Sequence, residues 1–194
     1  AANRYEGRFD SSGALRGRKR EMYEGGIRTP MIVRWPGKIP ADTASSTITS
    51  TLDILPTFAA ISGANSPKDR IIDGKNIWPI LSGKNNNHPR DAFFYYQMDQ
   101  LQAVRSGKWK LTLAMESKKR NWGKPEGKKE LALYDLKNDI HEDNNVAESN
   151  PQIVKKLQSL AESARKDLGD LNLKGKGQRE AGWVDTASPR LKRK

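Results

Sequence analysis

Hydrophobic and polar positions divide the chain into two apolar regions separated by a polar one. Apolar residues concentrate over residues 27–81 and again over residues 93–136, whereas residues 82–90 are polar and include three successive asparagines. A stretch of this composition is typical of a linker. We therefore predict three units: residues 1–88, residues 89–169, and a basic, flexible tail over residues 170–194.

Within the first unit, the pattern predicts one buried strand and one helix. Met31–Trp35 is a short apolar run followed by Pro36 and Gly37, which is typical of a buried strand and the turn that ends it. Residues 51–63 carry apolar side chains at helical spacing, and Asp53 lies near the start, where a carboxylate favours the helix dipole. The predicted face of this helix, which we expect to be buried, contains Leu52, Leu55, Phe58, Ala59 and Ser62.

Within the second unit, the pattern predicts a four-stranded antiparallel sheet with one helix across it. The strands are expected over Ala92–Tyr96, Leu101–Arg105, Lys108–Leu113 and Glu130–Leu136. Polar and apolar residues alternate in the third strand, as in a strand with one exposed face. An amphipathic helix is predicted over Pro151–Leu168, with Asn150 as its N-cap. This unit is therefore expected to be an α+β subdomain.

Composition and charge narrow the possible partners. The chain has 194 residues and a formal net charge of +12, which favours an acidic partner. It contains no cysteine, so disulfides and thiolate metal sites within this chain are excluded. No apolar run approaches the ~18 residues of a membrane span, so we expect no membrane contact. We expect no nucleic-acid partner either, because the basic runs lack interleaved aromatic residues that stack on bases.

The titratable residues give no sign of a self-contained catalytic site. His88 and His141 each lie among polar loop residues with no second ligand at metal spacing, so we predict that both are surface residues. The sequence has no nucleophile elbow, phosphate-binding loop or dinucleotide fingerprint. An acidic cluster near a predicted turn lacks the glycine and spacing of a calcium loop and is expected only to balance charge. Its members are Asp135, Asp139, Glu142 and Asp143.

A basic loop is the strongest candidate for chemistry. Arg16–Arg20 contains four cations and is followed by Tyr23 and the pair Gly25–Gly26. Cations that are held rigidly can stabilise a negatively charged transition state, and lysine supplies a compact charge for this purpose. Glycines allow a tight turn that would fix the loop. We therefore predict an anion-binding loop.

Seven segments, taken in order, resemble the C-terminal part of type I sulfatases, the arylsulfatase family of the alkaline-phosphatase-like superfamily. They are Leu15–Lys19, Tyr23–Pro30, Val33–Pro40, Ser50–Thr57, Ile72–Gly74, Ala103–Leu111 and Leu133–Leu136. The resemblance implies an α/β fold, in which residues 1–88 complete the sulfatase catalytic domain and residues 89–169 form the small C-terminal subdomain.

The resemblance also implies a mechanism. Members of the family hydrolyse sulfate esters with a formylglycine nucleophile made from Cys or Ser, and with a divalent cation, usually calcium. Lys19 matches the family lysine that contacts the sulfate group. The nucleophile and the calcium ligands are expected upstream of Ala1, so no metal ligand is assigned to this chain. Tyr96, Gln97 and Gln102 are candidates for substrate binding, because the C-terminal subdomain often borders the substrate cleft.

The implied partners are a sulfated small molecule or polysaccharide and the N-terminal part of the same enzyme. The implied location is the periplasm or the exterior of the cell, and we expect this chain alone to be inactive. Two other interpretations remain open from the sequence. One is a basic binding module for nucleic acid or sulfated glycan, which depends on the net charge of +12. The other is a related phosphatase of the same superfamily.

Overall fold

A computed structural model gives the fold of most of the chain. It describes residues 10, 12–85, 87, 89–118, 127–178 and 185–186. His88, much of the basic segment at 118–129 and most of the tail lie outside the described residues. The elements are, in order, α1 (Glu24–Ile27), a 3₁₀ helix (Thr51–Asp53) that continues into α2 (Ile54–Ile61), α3 (Trp78–Leu81), β1 (Phe93–Gln97), β2 (Gln100–Ser106), β3 (Trp109–Thr112), β4 (Ala132–Asp135) and α4 (Pro151–Leu168).

The four strands form one antiparallel meander, as the sequence predicts. Neighbours along the chain are neighbours in the sheet, in the order β1-β2-β3-β4. Gly107, with a φ of 56°, makes the tight turn between β2 and β3. Val104 faces Leu111, and Leu111 faces Leu133, so apolar side chains line up across three strands. A bulge between Tyr95 and Tyr96 shifts the register of β1 against β2.

Helix α4 covers one face of the sheet and completes the hydrophobic core. Its buried positions Leu157, Ala161 and Ala164 belong to one buried apolar cluster with Leu101 and Leu111 of the sheet. Small side chains at two of these three positions let the helix approach the strands closely. The helix has the bounds that its amphipathic pattern predicts, and none of the helices in the described part of the chain is long and apolar enough to cross a membrane.

The predicted N-cap of α4 is wrong in its chemistry. Asn150 stands at the N-cap position, but its side chain makes no capping hydrogen bond to the helix. Instead, its Nδ2 donates to the carbonyl oxygen of Val146 at 2.9 Å, in the preceding turn. Asn150 adopts φ −135° and ψ 52°, outside the extended region usual for a cap. The turn before the helix therefore competes successfully for this side chain.

The predicted strand at Met31–Trp35 does not form. Among the residues that the structure describes, this segment pairs with no other strand, and Ile32 is 96% exposed. A β-strand needs a neighbour to satisfy its backbone hydrogen bonds, and the described residues supply none here. Trp35 packs instead against Trp78, with ring centroids 5.5 Å apart.

The helix near Thr51 begins where it is predicted, but its expected apolar face is not buried. Leu52, Leu55 and Phe58 are exposed by 55%, 56% and 65%, whereas Pro56 and Thr57 on the other side are buried. The packing within this chain involves the less apolar side of the helix. The apolar side is left open on the same unit as Met31–Trp35.

Asp53 connects the start of this helix to two later segments. It is fully buried and accepts from the backbone N–H of Ser50 at 2.8 Å, as part of a capping box. Its other oxygen accepts from the backbone N–H of Lys75 at 2.8 Å and from the guanidinium of Arg90. Gly74 lies so close to the helix start that a Cβ there would be 1.9 Å from the carbonyl oxygen of Leu52. The aspartate thus fixes both the helix and the loop that crosses it.

Candidate functional site

The basic loop, which comprises residues 16–24, folds back on itself where it joins α1. The backbone N–H of Gly25 donates to the carbonyl oxygen of Arg16 at 2.8 Å. A Cβ on Gly25 would be 2.5 Å from the carbonyl oxygen of Gly17, and one on Gly26 would be 2.1 Å from that of Glu21. The Gly-Gly pair is therefore required by close backbone packing rather than by an unusual φ. The loop is held in one shape by its own backbone.

Lys19 lies at the outer turn of this loop. Its side chain is exposed, and within the described part of the chain no hydrogen bond or ion pair holds its amine. The next residue, Arg20, has a φ of 83°, which marks a tight turn at this point. Arg18 pairs with Glu21 at 3.5 Å across the base of the turn. The loop thus presents the ammonium group of Lys19 on a braced turn.

Lys110 of β3 connects the basic loop to the sheet. Its Nζ donates to the carbonyl oxygen of Met22 at 2.7 Å and to Oε1 of Glu24 at 3.1 Å. It also pairs with Oε1 of Glu142 at 2.8 Å. All three of these charged side chains are buried, and the ring of Tyr95 lies 4.6 Å from the same amine. The lysine is at a polar position of the alternating strand, which we expected to be exposed, but the loop covers that face of the sheet.

Glu24 is the most heavily paired acid of this site. Tyr95 donates to its Oε1 at 2.8 Å, while Arg28 and Arg105 both donate to Oε2 at 2.6 Å. Burial alone would raise the pKa of the Glu24 carboxyl, but the positive charges of Lys110 and Arg105 and the donated hydrogen bonds outweigh it and lower that pKa to about 2. Glu24 is therefore ionised at neutral pH, although water does not reach it.

Glu142 closes the network from a turn after β4. Its Oε2 accepts from the backbone N–H of Glu24 at 2.7 Å, and its carbonyl oxygen accepts from Arg16 at 2.8 Å. The guanidinium of Arg16 also lies 4.3 Å from the centre of the Tyr23 ring. Burial raises the pKa of the Glu142 carboxyl, which the charge of Lys110 opposes. Both ends of the loop, at Arg16 and at Glu24, are thus tied to this one residue.

The predicted acidic cluster therefore splits. Glu142 points into the buried network, whereas Asp143 is exposed and lies 2.8 Å from the ring nitrogen of His141. His141 is a surface residue, as predicted. Within the described ranges, no group of three or more acidic, histidine or cysteine side chains could hold a metal ion. The calcium implied by the resemblance has no ligand set among these described residues.

The three residues predicted to bind substrate lie on the neighbouring strands β1 and β2. Gln102 is buried on the loop side of the sheet and lines a narrow cavity of about 30 Å³ with Met22 and Tyr23. Gln97 is buried on β1. Tyr96 packs against the helix-side core, and its hydroxyl donates to the carbonyl oxygen of Gly169 at 2.9 Å. Burial raises the pKa of Tyr96 to about 12.

The resemblance to sulfatases implies that the formylglycine is made within a Cys/Ser-x-Pro/Ala-x-Arg motif, and one segment of the chain matches this pattern. Ser12 and Arg16 enclose Gly-Ala-Leu, which fits Ser-x-Ala-x-Arg. In the structure, the hydroxyl of Ser12 donates to the carbonyl oxygen of Gly17 at 2.9 Å, and its own carbonyl oxygen accepts from Leu15 at 3.0 Å. This serine closes a turn at the entrance to the basic loop. We therefore assign it a structural role and still expect the nucleophile upstream.

Comparison with known sequences decides the family. A sequence model of the family described as N-sulphoglucosamine sulphohydrolase, C-terminal, matches residues 17–167. The chain belongs to this sulfatase family. Human steryl-sulfatase is 44% identical over 95 residues, which cover 49% of this sulfatase chain and 16% of the human protein. The chain therefore spans about a sixth of the length of that relative.

Solved structures agree with this family assignment. A Bacteroides thetaiotaomicron sulfatase, described in connection with the metabolism of multiple glycosaminoglycans, matches with a TM-score of 0.65 and 33% identity over 79% of this chain and 32% of its own. A second solved structure, of a protein described as in complex with its substrate D-glucosamine-2-N,6-O-disulfate, matches with a TM-score of 0.53 and 27% identity over 76% of this chain and 29% of its own. The expected fold is confirmed: a mixed α/β C-terminal portion of a sulfatase, with a four-stranded antiparallel sheet and a C-terminal helix.

The buried network was not predicted from the sequence. Glu24 and Lys110 both lie in segments that carry the sulfatase resemblance, but their pairing joins residues 86 positions apart. The sequence shows only an acid directly before a Gly-Gly pair and a lysine between two large apolar residues in a strand. Neither pattern predicts which residue the side chain contacts.

Proposed function

We propose that this chain is the C-terminal portion of a sulfuric ester hydrolase and that Lys19 contacts the sulfate group of its substrate. The observation that supports this most is the exposed ammonium group of Lys19, carried on a loop braced by buried ion pairs, in a chain of the sulfatase family. This favours a hydrolase over a basic binding module, whose only support is net charge.

The proposed role of Lys19 is electrostatic. When the S–O bond of a sulfate ester breaks, negative charge increases on the leaving oxygen and remains on the sulfuryl oxygens. An ammonium group at hydrogen-bond distance stabilises that charge, most strongly where water is excluded and the donor does not have to reorganise. The braced turn supplies the second condition. The formylglycine nucleophile and the calcium ion remain proposals by resemblance, to be supplied by upstream residues.

For the substrate, we propose a sulfated sugar. The support is that one structural relative is described in complex with D-glucosamine-2-N,6-O-disulfate. Gln102 lines a cavity beside Met22 and Tyr23, but at about 30 Å³ this cavity is too small for a sugar, so a role for Gln102 remains a prediction. Roles for Tyr96 and Gln97 remain predictions. We also retain the periplasm or the cell exterior as the proposed location.

We propose that the upstream part of the same enzyme covers the open apolar side of the first unit. Ile32, Leu55, Phe58 and Ile71 are exposed by 96%, 56%, 65% and 67%, and their burial by further polypeptide would remove this apolar surface from water. The chain covers about a third of the length of its structural relatives, so the enzyme has ample further polypeptide to bury this surface.

Substitution of Lys19 tests the proposed catalysis. In the full-length protein, Lys19→Ala is expected to lower kcat for an aryl sulfate about 10²-fold, as does the removal of one oxyanion donor. Lys155→Ala, on the exposed side of α4, is the matched control and should leave kcat unchanged. A Lys19→Ala enzyme with the kcat of the control would remove Lys19 from the site.

The chain by itself is expected to be inactive. We predict no turnover of an aryl sulfate and no calorimetric signal of tight Ca²⁺ binding for residues 1–194 alone, because the described residues hold no metal-ligating cluster. Robust turnover would show that the nucleophile lies within this chain. Ser12→Ala would then identify it, since Ser12 is the one residue with the required spacing.

A further inference from the structure

We infer that Lys110 is a positioning residue for Lys19: it holds the basic loop, and thereby the ammonium group at its outer turn, at a fixed place on the C-terminal sheet. This inference depends on the proposed function, since it concerns how the proposed sulfate contact is kept in place. It assigns a role in catalysis to a fully buried side chain of the small subdomain, remote in sequence from the loop.

The first observation behind this inference is the geometry of the Lys110 amine. An ammonium group has three N–H donors, and the structure offers three oxygen acceptors, at 2.7, 2.8 and 3.1 Å. Two belong to the loop, at Met22 and Glu24, and one belongs to Glu142. The contacts to Met22 and Glu24 are hydrogen bonds and the contact to Glu142 is an ion pair, so a shift of the loop would break at least one charge-assisted hydrogen bond. The amine thus fixes position as well as charge.

The second step is that the loop backbone is held from both sides just after Lys19. The carbonyl oxygen of Met22 accepts from Lys110, and the N–H of Glu24 donates to Glu142. Both bonds are formed by buried partners. Because Gly25 and Gly26 are packed against the loop backbone, the chain between Lys19 and the α1 helix has little freedom to adjust. The position of Lys19 is therefore determined by the sheet.

The third step is that stability alone does not account for this arrangement. Moving an ammonium and two carboxylates out of water is costly, and well-packed apolar residues often replace such groups at no loss of stability. What apolar residues cannot supply is a directional link between β3, the loop and the turn at Glu142. Catalysis depends on a loop that is held in one position, since a misplacement of about 1 Å at a reacting group can lower a rate about 10²-fold.

The pairing pattern shows how to remove the link without leaving a buried charge unpaired. Glu24 keeps Arg28 and Arg105 at 2.6 Å when Lys110 is lost, but Glu142 loses its only paired cation among the described side chains. The double variant Lys110→Met/Glu142→Gln neutralises both partners and nearly preserves their volume. Lys108→Met, which removes the exposed ion pair with Asp135, is the matched control.

The experiment measures kinetics and amide hydrogen exchange in the full-length protein. For the double variant we expect kcat for an aryl sulfate to fall about 10-fold or more with a smaller change in KM, and exchange to become faster over residues 19–26. The Lys108→Met control should change neither. A double variant that folds and matches the control in both kcat and exchange would overturn the inference.

Two further arms separate this inference from the proposed function. If Lys110 acts through Lys19, adding the two substitutions of the double variant to Lys19→Ala should lower kcat little further. If the two effects on kcat multiply instead, the residues act independently and the inference is contradicted. If Lys19→Ala itself proves silent, the proposed function fails, and exchange over residues 19–26 still reports whether Lys110 holds the loop. Should the double variant not fold, Glu142→Gln alone should give a smaller effect in the same direction, and its absence would count against the role.

Discussion

At the scale of single residues, the main finding is a set of charges that are buried together. Glu24, Lys110 and Glu142 are each at most 1% exposed, although such side chains are rarely buried unless they are paired. Each has its partners here, so the cost of removing it from water is offset by short, directed contacts. The network connects the loop that carries Lys19 to the sheet, so a local charge balance becomes a constraint on the candidate site.

Acid should weaken this network through Glu24. Its pKa is lowered from 4.5 to about 2 in the folded state. A carboxyl of this kind stabilises the fold fully above its unfolded pKa, and the contribution is lost as the pH falls through its folded pKa. The difference in unfolding free energy between the unchanged protein and Glu24→Gln should therefore be largest above pH 4.5 and should shrink as the pH falls towards about 2.

Denaturant titrations at several pH values would measure this difference. Glu162→Gln, in an exposed ion pair with Arg165, is the control and should show only a small difference at any pH. A Glu24→Gln difference that stays constant from pH 7 to pH 2 would mean that Glu24 does not titrate as described.

At the scale of elements, Asp53 connects two of the segments that carry the sulfatase resemblance, and we call these contacts the junction. Ser50–Thr57 contains the capping box and the start of α2, and Ile72–Gly74 leads into the loop that crosses it. The carboxylate of Asp53 bonds to both segments, and Gly74 leaves room for the carbonyl oxygen of Leu52. One compact set of contacts therefore joins these two segments.

Gly74→Ala should therefore be strongly destabilising. A Cβ would be 1.9 Å from the carbonyl oxygen of Leu52, so the backbone has to move, at a cost of about 1–3 kcal/mol of unfolding free energy. Gly127→Ala is the matched control, because nothing lies within 4 Å of its Cβ position. Thermal or denaturant unfolding would measure both, and equal stability of the two variants would contradict this account of the junction.

At the scale of the whole molecule, the two apolar regions of the sequence bury their apolar side chains to different extents. The sheet and α4 enclose a core whose members Leu101, Val104 and Leu111 are not exposed at all. The first unit leaves large apolar side chains such as Ile32 and Phe58 open. Helix α4 of the same chain covers the apolar face of the sheet, whereas none of the described residues covers Ile32 or Phe58 to the same extent.

Phe58→Glu tests whether the open surface is buried in the full-length protein. In residues 1–194 alone, the change should alter the unfolding free energy little, since the side chain is already 65% exposed. In the full-length protein it should cost about 3 kcal/mol or more, like the loss of a core phenylalanine. Ile140→Glu, at a partly exposed apolar position after β4, is the control. A small cost in both contexts would show that nothing covers Phe58.

The sequence by itself determined the features that depend on neighbours along the chain. The four strands, the bounds of α4 and the turn at Gly107 follow from alternation, helical periodicity and turn residues, and the ordered segments were enough to indicate the sulfatase family. The tertiary structure decided what depends on distant partners. Lys110 is buried because a loop 86 residues away covers it, and Met31–Trp35 forms no strand because none of the described residues pairs with it. Local patterns set conformational preference, whereas burial and pairing require a partner, and only the folded chain supplies one.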